Sequence, residues 1–508
     1  MNWFDDWALT LAVFLPLVGV AVLATIPKAN EAAQKMVALL TAGLTLAVVI
    51  GVLIGFDYGN SASPQYEVNA SWIDVINSRY HVFIDGISLP MFALSALITV
   101  LCIIYSWDHF PTPHNPKAFL MLILVLETGM NGTFVAEDLI LFFVFFELVL
   151  LPMYFMIGVW GGPNRQYASI KFFLYTLFGS ALMILSFLAL YFKGGQTFDI
   201  PLLAQSGPQI AEGTAIVIFA GLFMGFAIKV PMFPFHTWLP DAHTEAPTVG
   251  SVILAAVLLK LGTYGFIRIA LPILPQAAVE WAPWIGGLAV IGIIYGALGC
   301  LAQTDLKRLI AFSSVAHMGF VMLGISTLTD YGINAALFGM VAHGLITGML
   351  FFVGGSIQER YETREIARLG GLLQQAPYLG WILGFSAFAS LGLPGLAGFW
   401  GEFPAILSAY NPAEGLNVAV FRTYMVIAAV GTVLAAAYLL WMYQRTAFGD
   451  PKEEFAEAHI HDVHGPEWIA WTPLLLGILI LGIYPKALFG ITDGAVQTVA
   501  AVFRTVGG

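Results

Sequence analysis

The chain has 508 residues, of which 59% are hydrophobic and only 10% are charged, whereas about 25% of the residues of an ordinary soluble domain are charged. Its 20 Lys and Arg residues against 31 Asp and Glu residues leave a formal net charge of −11, so the chain lacks the basic surface of a nucleic-acid binder. The composition excludes a soluble enzyme, a disordered protein and a nucleic-acid binder. It favours a protein whose solvent is the lipid bilayer.

Apolar runs of about 20 residues, the length that a transmembrane helix needs, recur along the whole chain. They cover 7–26, 36–56, 87–106, 118–136, 138–160, 170–192, 214–240, 247–271, 281–302, 309–328, 333–357, 376–407, 419–443 and 469–488. We predict an all-α polytopic membrane protein with about fourteen transmembrane helices. Residues 79–86, in the long connection after the second run, predict a short strand and a turn.

The positions of Lys and Arg predict the orientation. Twelve of the 20 lie in the loops of one side, six lie on the other side and two lie inside runs. The richer side is the cytoplasmic one, so we expect both termini outside and the 303–308 and 358–372 loops inside.

Ionisable side chains inside the apolar runs carry the functional signal. The seven are Glu127, Glu147, Lys229, Lys260, His317, His343 and Glu402. Glu147 lies about 13 Å into its run at ~1.5 Å per residue, near the middle of the bilayer, and Lys260, His317 and His343 have a similar depth. A buried charge is so costly in a membrane that such residues must pair with one another or contact water.

Two interpretations of these residues remain open. Static ion pairs could fix the helix packing, or the residues could form a proton relay along the membrane plane, in which burial disfavours the charged lysines and nearby carboxylates favour them. Each histidine alone could be a packing residue, and Glu127 could simply bond Asn131, one turn further on.

Prolines interrupt two runs next to an ionisable residue, beside Lys229 in the seventh run and before Glu402 in the twelfth. Discontinuous helices of this kind occur at ion sites of transporters. An offset of five runs predicts two inverted five-helix repeats, each with a broken helix and each forming half of a proton path. The predicted units are 1–117, 118–271, 281–443 and 444–508.

Other candidate sites are weaker. His459, His461 and His464 could bind a metal, but their charged loop favours a solvated surface, and we expect no metal site. Arg360, Arg364 and Arg368, spaced by four, predict one face of a short cytoplasmic helix. The two cysteines and the lack of nucleotide-binding motifs predict no cofactor on this chain.

Several segments together resemble the antiporter-like subunits of respiratory complex I over nearly the whole chain. They are 145–154 (FFELVLLPMY), 227–231 (AIKVP), 235–243 (FHTWLPDAH), 259–260 (LK), 305–311 (DLKRLIA), 314–320 (SVAHMGF) and 401–403 (GEF). The resemblance implies a fourteen-helix subunit of the membrane arm in a bacterial cell (inner) membrane, which pumps protons while other subunits oxidise NADH and reduce quinone.

The resemblance also implies roles and partners. Glu147 and Lys229 would form a pair, Lys260 would be the central lysine and Glu402 the terminal carboxylate. L-type and N-type subunits and cation/proton antiporter subunits usually carry lysine at that last position, so Glu402 argues against those sisters. The implied partners are the L-type and N-type subunits, and the flavin and iron–sulfur clusters would lie in partner subunits.

Three alternatives to this function remain: a subunit of a multisubunit cation/proton antiporter, a subunit of a ferredoxin-linked complex, and a stand-alone secondary transporter. The line of midplane acids and bases favours the energy-converting subunit over a transporter with its own substrate cavity.

Overall fold

The computed structural model describes residues 3–506, and helices dominate it as the composition predicts. In the described chain, twelve helices are long and apolar enough to cross a membrane. The helices of the first half are α1 (Trp3–Thr25), α2 (Glu31–Gly55), α3 (Leu89–Tyr105), α4 (Pro116–Val135), α5 (Leu139–Leu148), α6 (Leu150–Trp160), α7 (Arg165–Lys193), α8 (Ile200–Ser206), α9 (Glu212–Lys229), α10 (Trp238–Glu245), α11 (Thr248–Ile253), α12 (Leu259–Gly265) and α13 (Leu271–Ile273). Those of the second half are α14 (Pro275–Leu301), α15 (Leu306–Ser326), α16 (Asp330–Tyr361), α17 (Leu372–Gln375), α18 (Pro377–Ser390), α19 (Ala397–Ser408), α20 (Val418–Ala447), α21 (Gly465–Ile483) and α22 (Lys486–Val506).

Each predicted run coincides with one helix or with consecutive helices. α5 and α6 form one span that is interrupted only at Val149, and α11 to α13 form another through the π-helical segments Leu254–Leu258 and Phe266–Ala270. α3 is a shorter apolar helix of 17 residues, and α18 and α19 are the two halves of the broken twelfth run. The polytopic all-α class is confirmed, and the number fourteen and the inverted repeat stay predictions.

The predicted strand and turn belong to a β-hairpin. Strands β1 (Gln65–Ile73) and β2 (Ser78–Ile84) pair antiparallel, and Asn77 turns the chain between them with a φ of 52°. Phe4 of α1 packs edge-on against Tyr66 of β1, and α22 contacts the turn at Tyr58–Asn60. We call this the hairpin end of the bundle, and the first and last described helices both reach it.

The prediction of one arginine-faced helix over 360–368 is wrong. α16 ends at Tyr361, because Glu362 adopts a left-handed conformation with a φ of 50°. Beyond it Arg364 pairs with Asp305 at 3.0 Å, and Arg368 pairs with Glu454. Spacing by four places residues on one face only while the helix continues.

Burial separates the helices into a lipid-facing ring and a buried centre. The apolar windows of α1, α2, α20 and α21 are at most 39% buried, whereas those of Thr248–Ile273 and α16 are 100% buried and that of α15 is 94% buried. The buried spans carry Lys260, His317 and His343. Ionisable residues therefore face protein rather than lipid, which reduces the free-energy cost of keeping them in the membrane.

Candidate functional site

A π-helical segment positions Lys260 in the centre of the bundle. The lysine follows the segment Leu254–Leu258 and is completely buried. Its Nζ donates to the carbonyl of Ala255 at 2.5 Å and lies 2.7 Å from Nδ1 of His343 on α16. π-Helical turns are frequent at functional sites, where they re-aim backbone groups. Here the turn and the imidazole together satisfy an ammonium group that would otherwise be unpaired in the membrane.

A second pair joins α15 to the broken twelfth span. His317 Nδ1 lies 2.5 Å from Oε1 of Glu402, and its Nε2 lies 3.0 Å from Ser390 Oγ and 3.2 Å from the hydroxyl of Tyr438. Because Nε2 can bond a hydroxyl whichever nitrogen carries the proton, the ring can exchange a proton with Glu402 without losing its partners.

The two pairs face each other across a small cavity. The rings of His317 and His343 are 5.9 Å apart between centroids. Both rings, Glu402 and Thr347 line a cavity of about 20 Å³, which is enough space for one water molecule. His343 Nε2, Glu402 Oε2 and Thr347 Oγ1 have no hydrogen-bond partner within the protein. A water in this cavity would join Lys260, His343, His317 and Glu402 into one hydrogen-bonded path.

Glu147 and Lys229 are not in contact in this arrangement. The Glu147 carboxylate accepts a hydrogen bond from Ser180 of α7. The Lys229 ammonium has no hydrogen-bond partner and lies 4.7 Å from the centroid of the Phe146 ring. None of the ion pairs within 4 Å in the described chain joins the two residues, so the implied pair stays a prediction.

Proline chemistry places these residues at helix interruptions. Pro152 cannot donate to the carbonyl one turn earlier, and the helix is interrupted at Val149, just after Glu147. α9 ends at Lys229, where the negative end of the helix dipole favours a positive charge. Between α18 and α19, Gly392 and Gly395 have φ values of 81° and 95°, which residues with a side chain rarely adopt.

Glu127 does not bond Asn131, so the local explanation of this residue is wrong. Asn131 instead bonds Ser95 and the carbonyl of Ala12. Both carboxylate oxygens of Glu127 are buried without a partner. Glu127 therefore forms no hydrogen bond with Lys260, His343, His317 or Glu402.

His243 is a candidate residue to which the sequence analysis assigned no role, although it closes the FHTWLPDAH segment. It is completely buried, neither ring nitrogen has a hydrogen-bond partner, and its ring stacks on Phe351 at 4.5 Å. The charges that act on it are those of Lys307 and Lys260. Lys307 lines a cavity of about 420 Å³ at the end of the bundle opposite the hairpin. His243 lies two residues before Glu245, which lines the same cavity.

At the hairpin end the polar groups form an ion cluster. Arg268 makes two hydrogen bonds to Asp85, at 2.6 and 2.8 Å, and its Nε lies 3.4 Å from Glu137. Burial by itself would raise the pKa of Asp85, but the Arg268 guanidinium holds it below its usual value. Burial raises the pKa of Glu137 to about 8, although Arg268 opposes the shift. Arg268 lies in the same span as Lys260, Thr248–Ile273. The hairpin end of that span thus carries a permanently charged guanidinium.

The described residues offer one group with metal-ligand chemistry, formed by His109, His464 and Glu467. His459 and His461 line a cavity beside it. The group is distant in sequence from the Lys260 path and lies at the end opposite the hairpin.

Fold and site together define a polytopic membrane protein that holds a buried row of ionisable side chains. The model of the family "NADH:quinone oxidoreductase/Mrp antiporter, TM" matches residues 136–431, and that of "NADH-ubiquinone oxidoreductase chain 4, amino terminus" matches residues 11–133. The chain belongs to this family of antiporter-like membrane subunits, and the resemblance found in the sequence is confirmed.

Within this family, the chain is similar to proteins named NADH-quinone oxidoreductase subunit M. NADH-quinone oxidoreductase subunit M of Rickettsia bellii is 39% identical over 97% of this chain and 99% of its own length. Subunit M of Rhodobacter capsulatus is 41% identical over 94% of this chain and 93% of its own length. Among solved structures, a chain of respiratory complex I from Thermus thermophilus has a TM-score of 0.86 at 30% identity, covering 98% of this chain and all of its own. A chain of the Mrp complex from Dietzia has a TM-score of 0.85 at 20% identity over the whole of both chains, which shows a shared fold.

Proposed function

We propose that this chain is the M-type antiporter-like subunit of an NADH:quinone oxidoreductase and moves protons across the membrane, driven by redox chemistry in other subunits. The observation that carries the proposal is the row of contacts from Lys260 through His343 and His317 to Glu402, which spans three buried helices and a broken one. Static ion pairs that only fix the helix packing would not need to lie next to one another. A proton relay requires consecutive donors and acceptors within reach.

Each step of the path has a donor and an acceptor. A protonated Lys260 donates to His343 Nδ1, and the Nε2 side of that ring faces the water-sized cavity beside Glu402 and Thr347. A water there passes the proton to the His317–Glu402 pair. Glu402 is 9% exposed and follows the glycine-containing break, where freed backbone groups bind water. The path therefore ends beside a hydrated helix break.

The proton inlet would open at the end of the bundle opposite the hairpin. The cavity of about 420 Å³ is lined by the charged side chains Glu245, Lys307 and Arg364, and His243 would carry protons from it toward Lys260. An imidazole that lacks partners on both nitrogens can accept a proton on one side and release it on the other. The redox reaction would act by changing whether Glu147 bonds Ser180 or turns to Lys229, which lacks a hydrogen-bond partner.

The assembly follows from the same proposal. L-type and N-type subunits would flank the chain in the membrane arm, and the flavin and iron–sulfur clusters would lie in partner subunits. The chain would span a bacterial inner membrane with the hairpin end and both termini outside. Segments 118–271 and 281–443 would be the two inverted half-paths, flanked by 1–117 and 444–508.

The test uses the chain purified with its accompanying subunits and reconstituted in liposomes. Lys260→Met keeps the length of the side chain but removes its proton, so NADH-driven proton uptake should be abolished while the complex still assembles. Lys486→Met, at an exposed position, is the matched control and should pump normally. A chain that purifies alone, or a Lys260→Met variant with normal uptake, would contradict the proposal and favour a stand-alone transporter or a static role for Lys260.

A further inference from the structure

Two histidines at the end opposite the hairpin share an arrangement that metal ligands adopt. His109, in the loop after α3, places Nδ1 2.5 Å from Glu359 Oε2, and His464, just before α21, places Nδ1 2.9 Å from Glu467 Oε2. A carboxylate at Nδ1 fixes the proton on that nitrogen and leaves the lone pair of Nε2 free. Both rings are therefore oriented and have Nε2 available.

His109, His464 and Asp108 line the same cavity. His109 Nε2 is buried without a hydrogen-bond partner, and Nε2 of His464 lies 3.8 Å from Oδ2 of Asp108. The two rings are 5.5 Å apart between centroids, and one ligand atom each of His109, His464 and Glu467 lie within 4.8 Å of one another. Zinc binds imidazole nitrogens at roughly 2.1 Å, so the two side chains would rotate toward a bound ion.

The surrounding charges favour a cation. Asp108, Glu359 and Glu467 supply three carboxylates, and Arg360, which bonds Glu467 at 2.7 and 2.9 Å, supplies one guanidinium. Two net negative charges remain beside the two imidazoles. The Arg360 contact holds the Glu467 carboxylate in place, so Glu467 orients His464 rather than serving as a ligand itself.

His459 and His461 line the same cavity of about 490 Å³ as Asp108, His109 and His464. Arg360 donates from Nε to the carbonyl of His461 at 2.7 Å, which ties this loop to α16. A fourth ligand can come from either histidine or from water.

We propose that His109, His464 and Asp108 form a site for a divalent transition metal, with Zn²⁺ as the cation that best fits two imidazoles and a carboxylate. A bound ion would join the loop after α3 to the segment before α21, beside the cavity of about 420 Å³ that Asp108 and His109 also line. The proposal is independent of the pumping function.

The experiment measures zinc binding directly. The tagged chain is purified with the subunits that accompany it, stripped with a chelator, and dialysed against micromolar Zn²⁺ at pH 8, because the ligands must be deprotonated to bind. Elemental analysis should find one more zinc per complex in the wild type than in His464→Gln or His109→Gln. Loss of the orienting carboxylate in Glu359→Gln should weaken zinc binding about 10- to 100-fold.

His114→Gln is the matched control, because His114 is exposed, bonds Glu31 and does not line the cavity. It should retain the wild-type zinc content. His464 is about half exposed, so its variant tests the site even where His109→Gln, which loses a ring stacked on Tyr105, assembles poorly. Equal zinc content in the wild type and His464→Gln would overturn the proposal.

Discussion

Glu402→Gln isolates the charge of the terminal carboxylate while keeping its shape. Glu402 Oε1 lies 2.5 Å from His317 Nδ1, and the amide oxygen of glutamine can still accept that hydrogen bond. Hydrogen bonds to charged groups contribute about 1.5–3 kcal/mol, against about 0.5–1.5 kcal/mol for neutral ones. The bond between residue 402 and the His317 ring should therefore lose about 1–2 kcal/mol of stabilisation.

A loss of this size corresponds to a roughly 5- to 30-fold lower equilibrium constant for forming the hydrogen-bonded pair. NADH-driven proton uptake by the reconstituted complex should fall by a similar factor per assembled complex, with unchanged assembly. Glu414→Gln, at an exposed position in the loop after α19, controls for charge loss in general and should pump normally. Wild-type uptake in Glu402→Gln would refute the reasoning, and so would reduced assembly with normal turnover, since that result indicates a static pair.

Three further predictions concern the first half-path, the inlet and the orientation. Glu147→Gln removes the carboxylate charge that acts on Lys229, so quinone reduction and pumping per assembled complex should both fall, whereas Glu147→Asp should be milder. Little complex with normal turnover would indicate a structural pair. His243→Gln should slow NADH-driven proton uptake without changing assembly, and an unchanged rate would remove this residue from the inlet. Single cysteines at Gln303 and Gln358 should react with impermeant reagents only from the cytoplasmic side, and labelling in intact cells from outside would reverse the proposed orientation.

The sequence by itself determined the membrane spans and the residues that interrupt them. The length of an apolar run is a local property of the chain. The same is true of the prolines beside Lys229 and the glycines before Glu402, which act on the backbone within one or two turns. The hairpin strand near Arg79 was predictable for the same reason. The motif segments identified the family, and they contain most of the residues proposed for the relay.

The tertiary structure alone decided which of these residues touch. Lys260 meets His343 across 83 positions of the chain, and His317 meets Glu402 across 85. Such contacts depend on how whole helices rotate and pack against one another, which hydropathy and spacing do not specify. The same reason explains why Glu127 lacks its expected local partner.

Three outcomes show where local signals end. The π-helical segment before Lys260 has no distinctive sequence, because it arises when the surrounding packing favours a shifted hydrogen-bond pattern. The arginines at 360–368 kept helical spacing after the helix had ended at Tyr361. His109 and His464 are 355 positions apart in the sequence, so their shared orientation by Glu359 and Glu467 exists only in the folded chain. Sequence fixes what each helix can bury and where it breaks, whereas the partners of a buried charge depend on the packing of the complete bundle.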